Sequence, residues 1–131
     1  MKNIWYHGTN HAEKILEEGF SLPSEPGIWG TGIYLTDSLE DALKYGRTVL
    51  EVEWDNSYTL QISYEADIPI LFPYLSFEEE EGEPLIQQHV ASIQKEAVSV
   101  RYSDECTNLV VYDPTRLTKI QRKTIPLHSV L

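Results

Sequence analysis

The stretch from Trp5 to Gly46 constrains this chain more than any other, because its apolar runs stop at glycines and polar residues. Ile4-Trp5-Tyr6 reads as a buried strand that halts at His7-Gly8-Thr9, which sets an imidazole and a bare glycine backbone at a strand end. Such ends present groups to ligands, and glycine lets a ligand approach the main chain closely. A second strand-like run, Gly32-Ile33-Tyr34-Leu35-Thr36, follows Gly30 and leads into a helix closing at Tyr45-Gly46. One histidine and two tyrosines are thus placed at element ends.

Between these runs, Thr9 or Asn10 is suited to cap a helix whose Ala12, Ile15 and Leu16 share one face and which Gly19 stops. Phe20 anchors the exit. Ser21 to Gly30, with Pro23, Pro26 and Gly27, is expected to be an irregular loop. Thr36-Asp37-Ser38 offers N-caps for a short helix with Leu39, Ala42 and Leu43 buried, Tyr45 off that face and Gly46 as its end. Thr48 to Trp54 reads as a strand with Glu51 and Glu53 outward, turning at Asp55-Asn56-Ser57. Tyr58 to Tyr74, cut by Pro69 and Pro73, fits either short strands or loop. The acidic run Glu78 to Glu81 with Gly82, Glu83 and Pro84 reads as a solvated loop. A helix follows over Leu85–Lys95, with Ile86, His89, Val90 and Ile93 on one face. Val98 to Tyr102 alternates as a strand, and Leu109 to Tyr112 is a continuous apolar run of the central-strand kind, ended by Asp113-Pro114. The tail from Leu117 to Leu131 reads as a further strand with Lys119, Arg122 and Lys123 exposed.

A length of 131 residues suits a single domain with a core of its own. No apolar run approaches a membrane span, and nothing at the N-terminus resembles a signal peptide. The single cysteine, Cys106, has no internal partner for a disulfide, which points to a reducing cytoplasm. A monomer is expected. A formal net charge of -11 repels a polyanion, so nucleic acid is not an expected partner, whereas a basic surface is favoured. His7 and His11 lack further ligands for zinc, and no Gly-Lys-Ser/Thr completes a nucleoside-triphosphate loop. No metal site is expected.

His7-Gly8-Thr9, Ile15-Leu16-Glu17-Glu18-Gly19, Gly30-Thr31-Gly32-Ile33-Tyr34 and Ser38 to Tyr45 together resemble the ADP-ribosyltransferase superfamily. The likeness is to its poly-ADP-ribose-polymerase-like and diphtheria-toxin-like branch, whose pattern is His, Tyr and usually Glu. The resemblance spans most of the chain and implies an α+β fold with a split β-sheet core, short flanking helices and an NAD cleft. It implies cleavage of the nicotinamide–ribose bond of NAD through an oxocarbenium-like state, with ADP-ribose delivered to an acceptor. By this likeness His7 holds an adenosine-ribose hydroxyl, the Gly8 backbone pairs with the nicotinamide amide, and Tyr34 and Tyr45 stack on the nicotinamide ring. Thr9 and Gly32 complete the NAD-binding set. The loop before Gly30 runs over the nicotinamide end, where Trp29 either lines the cleft or plugs the loop against the core.

Two departures bear on activity. The family's catalytic Glu begins the late strand, and the comparable run here, Thr107-Asn108-Leu109-Val110-Val111-Tyr112-Asp113, sets Asn108 in its place. Asn hydrogen-bonds a ribose hydroxyl but supplies neither charge nor a base, which argues against chain elongation. Glu105 or Asp104 reaches the site only if a bulge offsets the strand start. Ala42 replaces a hydroxyl residue three before the second tyrosine. The catalytic candidates are therefore Asn108, Glu105 and Tyr34. The expected function is mono-ADP-ribosyl transfer from NAD to a macromolecular acceptor, in the manner of a small bacterial or phage effector or toxin whose acceptor is a protein. The alternative is an inactive NAD- or ADP-ribose-binding or partner-blocking acidic module. An RNA 2′-phosphotransferase of the same fold would need more basic residues than this chain has.

Overall fold

The computed structural model describes residues 2–24, 27–67 and 83–123. In chain order the elements are β1 (Lys2–Thr9), α1 (Ala12–Glu18), β2 (Ile33–Thr36), α2 (Leu39–Ala42), β3 (Thr48–Asp55), β4 (Thr59–Ser63), α3 (Glu83–Ser92), β5 (Ala97–Ser103), β6 (Cys106–Val111) and β7 (Ile120–Arg122). The architecture is α+β. Among the described residues one mixed sheet of seven strands runs β4-β5-β6-β2-β1-β3-β7, parallel only between β4 and β5.

The pairing is uneven where it matters. β1 and β3 pair along their whole length, from Lys2↔Asp55 to Thr9↔Thr48, whereas β1 meets β2 at the single rung Tyr6↔Thr36. Past Tyr6 the two strands part, so the sheet consists of two halves joined at one point.

Both faces of the sheet are covered. On one, Trp5, Ile33, Leu35, Leu50, Val52, Leu109 and Val111 form a core with Ala12 of α1 and with Phe20. On the other, Val98, Val100, Val110 and Ile62 pack with Ile86 and Val90 of α3 and with Trp29. Double coverage explains why Ala97 to Val100 is buried without a break, where alternation was expected. β6, the continuous apolar run, lies between β5 and β2, as an interior strand should.

Several sequence expectations are corrected. Residue His11 occupies the N-cap of α1, and the Thr9 hydroxyl accepts its N–H at 2.9 Å, while the Asn10 amide oxygen accepts the N–H of Arg47. Neither Thr9 nor Asn10 caps the helix. Gly19 does end it, at φ +83°, a conformation that favours glycine. Leu16 and Leu43 are exposed instead of buried, because α1 turns only Ala12 and part of Ile15 inward and α2 is one turn that stops at Ala42. Helix α3 ends at Ser92, and Ile93 beyond it is exposed. The tail strand is short, and Lys123 is half-buried against Glu51 at 3.1 Å. Residues 68–82 and 124–131, which hold Pro69, Pro73, Glu78 to Glu81 and the last part of the tail, lie outside the described residues, as does Pro26. No helix among the described residues is long and apolar enough to cross a membrane.

Trp29 is the plug. Its indole is wholly buried, its backbone N–H donates to the Tyr34 hydroxyl at 2.9 Å, and its Nε1–H donates to the Tyr102 hydroxyl at 2.8 Å. Its carbonyl accepts from the Tyr112 hydroxyl at 2.7 Å. Replacing Trp29 by Ala is expected to cost about 3–5 kcal/mol in urea unfolding, as for other buried aromatics, with Trp29→Phe costing clearly less.

Candidate functional site

Where β1 and β2 part, their residues line two hollows. The first, of ≈ 280 Å³, is bounded by Tyr6, His7, Gly8, Tyr34, Thr36, Asp41, Ala42, Tyr45 and Asn108. The second, of ≈ 490 Å³, is bounded by residues of α1 and its exit, including His11, Lys14, Ile15 and Phe20, together with Thr9, Gly32 and Ile33. His7 and Tyr34 line both, so these two residues stand where the hollows meet.

One bond organises that meeting point. The His7 ring, through Nδ1, lies 2.9 Å from the carbonyl of Tyr34. A carbonyl only accepts, so Nδ1 carries the proton. If the Tyr6↔Thr36 register continued, Gly8 would face Tyr34, and the imidazole supplies a donor where that further rung is missing. Burial holds the His7 pKa below its ordinary value, against a smaller upward pull from the Tyr34 carbonyl. The ring is therefore neutral near pH 7, with Nε2 free of a proton and able to accept a hydrogen bond from a hydroxyl. Phe20 fixes the ring edge-on at 4.9 Å.

Gly8 serves the packing of α2. A Cβ there would overlap the Ala42 carbonyl, so only glycine lets α2 lie against the strand. The α2 turn is capped by Ser38, whose hydroxyl accepts the Asp41 N–H at 3.2 Å. Tyr45, just past this turn, is 70% exposed and lines the first hollow. Tyr34 differs: its hydroxyl donates to the Gly30 carbonyl at 2.8 Å and accepts from the Trp29 N–H at 2.9 Å, which ties it to the loop before β2.

The sequence candidates divide accordingly. His7, Gly8, Tyr34, Tyr45 and Asn108 converge on the first hollow. Thr9 and Gly32 line the second, and Gly32 also packs tightly on Val110 and Val111. Asn108 pairs with Thr36 across β6 and β2, and its Oδ1 takes the Cys106 thiol at 3.9 Å. Glu105 is not brought in. It sits exposed in the turn between β5 and β6, with its N–H on the Ser103 hydroxyl. The ladder irregularity falls in β5, between Arg101 and Ser103, and so does not carry Glu105 or Asp104 into the hollow. Asp41 was not anticipated. Among the described residues it is the one carboxylate lining the first hollow, and its position beside Ala42 was the available signal.

No protein-family model matches the chain, and no curated protein matches it. Among solved structures, the crystal structure of an anti-CRISPR protein is similar over 94% of this chain and 96% of that one, with 14% sequence identity and a TM-score of 0.49.

Two outcomes are expected. Gly8→Ala should destabilise the protein by about 1–3 kcal/mol in urea, since the new methyl must displace α2. The lowered His7 pKa means that the unfolded chain binds a proton before the folded one does. Stability from this group is full above 6.5 and is lost as pH falls through 6.5 towards the folded value. The drop in urea midpoint between about pH 7.5 and about pH 5.5 should be smaller in His7→Asn than in the wild type.

Proposed function

We propose that the chain is a mono-ADP-ribosyltransferase that cleaves NAD and passes ADP-ribose to a macromolecular acceptor, with nicotinamide released. The observation that supports this most is the convergence of His7, Gly8, Tyr34, Tyr45 and Asn108, far apart in sequence, on one hollow at the parting of β1 and β2. A chain with only a scaffolding role has no need to assemble that set. In this reading the nicotinamide end occupies the first hollow, against the Tyr45 ring and the Gly8 main chain. The adenosine end runs past His7 into the second, where Lys14 and His11 offer donors to phosphate oxygens.

Positioning supplies much of the rate of such a reaction, because the bond to nicotinamide needs to be held in one strained arrangement for the acceptor to reach C1′. The net charge of -11 favours a protein acceptor with a basic surface over nucleic acid. A second reading has one observation in its favour: Asn108 occupies the cleft where a carboxylate would be expected, as in a module that binds NAD or ADP-ribose without turning it over.

The test is transfer of labelled ADP-ribose from NAD to proteins of a host lysate, beside the shift in melting temperature that NAD produces. The wild type should label an acceptor and be stabilised by NAD, and His7→Ala should lose both while keeping its fold. A melting shift without label would favour the binding module. Unchanged NAD affinity in His7→Ala would remove His7 from the site.

A further inference from the structure

Asn108 leaves the strand side of the cleft without a charge, yet the cleft is not without one. Asp41, carried by α2, lines the same hollow, and among the described residues that line it Asp41 alone is a carboxylate. His7 is neutral there, and Glu105 is outside.

The backbone fixes Asp41 at both of its polar groups. Its N–H is taken by the Ser38 hydroxyl at 3.2 Å, and its carbonyl accepts the Lys44 N–H at 3.2 Å. The next residue, Ala42, is held against Gly8 by a contact that admits no side chain on the strand. The Asp41 side chain is 22% exposed, whereas that of Lys44, whose Nζ lies 3.6 Å from Asp41 Oδ1, is 73% exposed. A solvated i,i+3 lysine of this kind screens a carboxylate weakly and does not cancel it. The field of Asp41 also reaches the start of β6: the Cys106 thiol, two residues from Asn108, is pushed up first by burial and then by the Asp41 charge.

We infer that Asp41 supplies the negative charge and the base that position 108 lacks, and that it does so from the helical wall of the cleft. The inference rests on the transferase reading. The C1′–N bond of NAD breaks, and its electron pair leaves on neutral nicotinamide. The oxocarbenium ion left at C1′ lies beside the Asp41 carboxylate. A lone pair of the acceptor forms the new bond to C1′, and the acceptor's proton passes to Asp41 and from there to water. NAD and the acceptor thereby give the ADP-ribosylated acceptor, nicotinamide and a proton.

The experiment follows release of labelled nicotinamide from NAD, with water as acceptor, in the wild type, Asp41→Asn, Asp41→Glu and the double variant Asp41→Asn/Asn108→Glu. Binding of NAD and of its reduced, uncharged-ring form is measured alongside by calorimetry. Asp41→Asn, with an unchanged unfolding midpoint, should release nicotinamide roughly 10²-fold more slowly, the lower end of what a positioned base contributes. It should also lose part of the wild type's preference for the oxidised, cationic ring, and the double variant should regain rate. An Asp41→Asn variant as fast as the wild type, with the same preference, overturns the role of Asp41 and leaves the transferase reading standing. A wild type that binds NAD but releases no nicotinamide overturns both.

Discussion

The cleft depends on a ladder that stops after one rung. β1 is fully paired to β3, and β2 is paired to β6 from Ile33↔Val111 to Thr36↔Asn108, but the ladder between the two halves has the single rung Tyr6↔Thr36. A gap in the middle of a sheet exposes main-chain groups that must find partners. Here the His7 imidazole takes the Tyr34 carbonyl, which holds the gap at a fixed width without closing it. The same bond selects the tautomer of His7, so one interaction sets the shape of the opening and the hydrogen-bonding character of its wall.

Around that opening the chain separates rigid parts from accessible ones. Tyr34, Trp29, Tyr102 and Tyr112 tie the loop before β2 to the second core through their own hydrogen bonds. Burial, with a smaller contribution from Tyr34, pushes the Tyr112 phenol well above its ordinary range. Asp41, by contrast, is carried by the single turn of α2, and Tyr45 follows just past it. On the far edge of the sheet, Glu51 and Glu53 are met by Lys123, Gln121 and Lys119, which satisfies part of a strongly acidic chain where a short edge strand would otherwise be bare.

The strands of the cleft were legible because their signals are local. The apolar run Ile4-Trp5-Tyr6 and the one closed by Asp113-Pro114 are readable from neighbours alone, and so were the glycine stop at Gly19 and the role of Trp29 as one of two open choices. The expected halt of the first strand at His7-Gly8 is not found, because pairing with β3 carries β1 on to Thr9. What was hidden depends on contacts distant in sequence. Leu43 reads as buried by helical spacing, but α2 ends early since Ala42 already rests on Gly8. Thr9 has the chemistry of a cap and instead receives the N–H of His11. Asp41 reads as an ordinary polar position on a short helix until β1 and β6 are laid beside it. Glu105 drew attention by proximity in sequence to Asn108, and the turn between β5 and β6 carries it elsewhere.

The strand order has a kinetic consequence. Among the described residues only β5 and β6 are joined as a hairpin of chain neighbours with a short turn; β1 waits for β3, β2 waits for β6, and β4 lies parallel to a strand beyond α3. Contacts of such long sequence separation are closed late and slowly compared with those of a helical bundle of similar size. Since His7, Tyr34 and Asn108 come from β1, β2 and β6, no part of the chain can assemble the cleft ahead of the rest. A newly made chain is therefore without its opening until β1, β2 and β6 are in register, and ligand binding during refolding reports on the joining of the two halves of the sheet rather than on any single early piece of it.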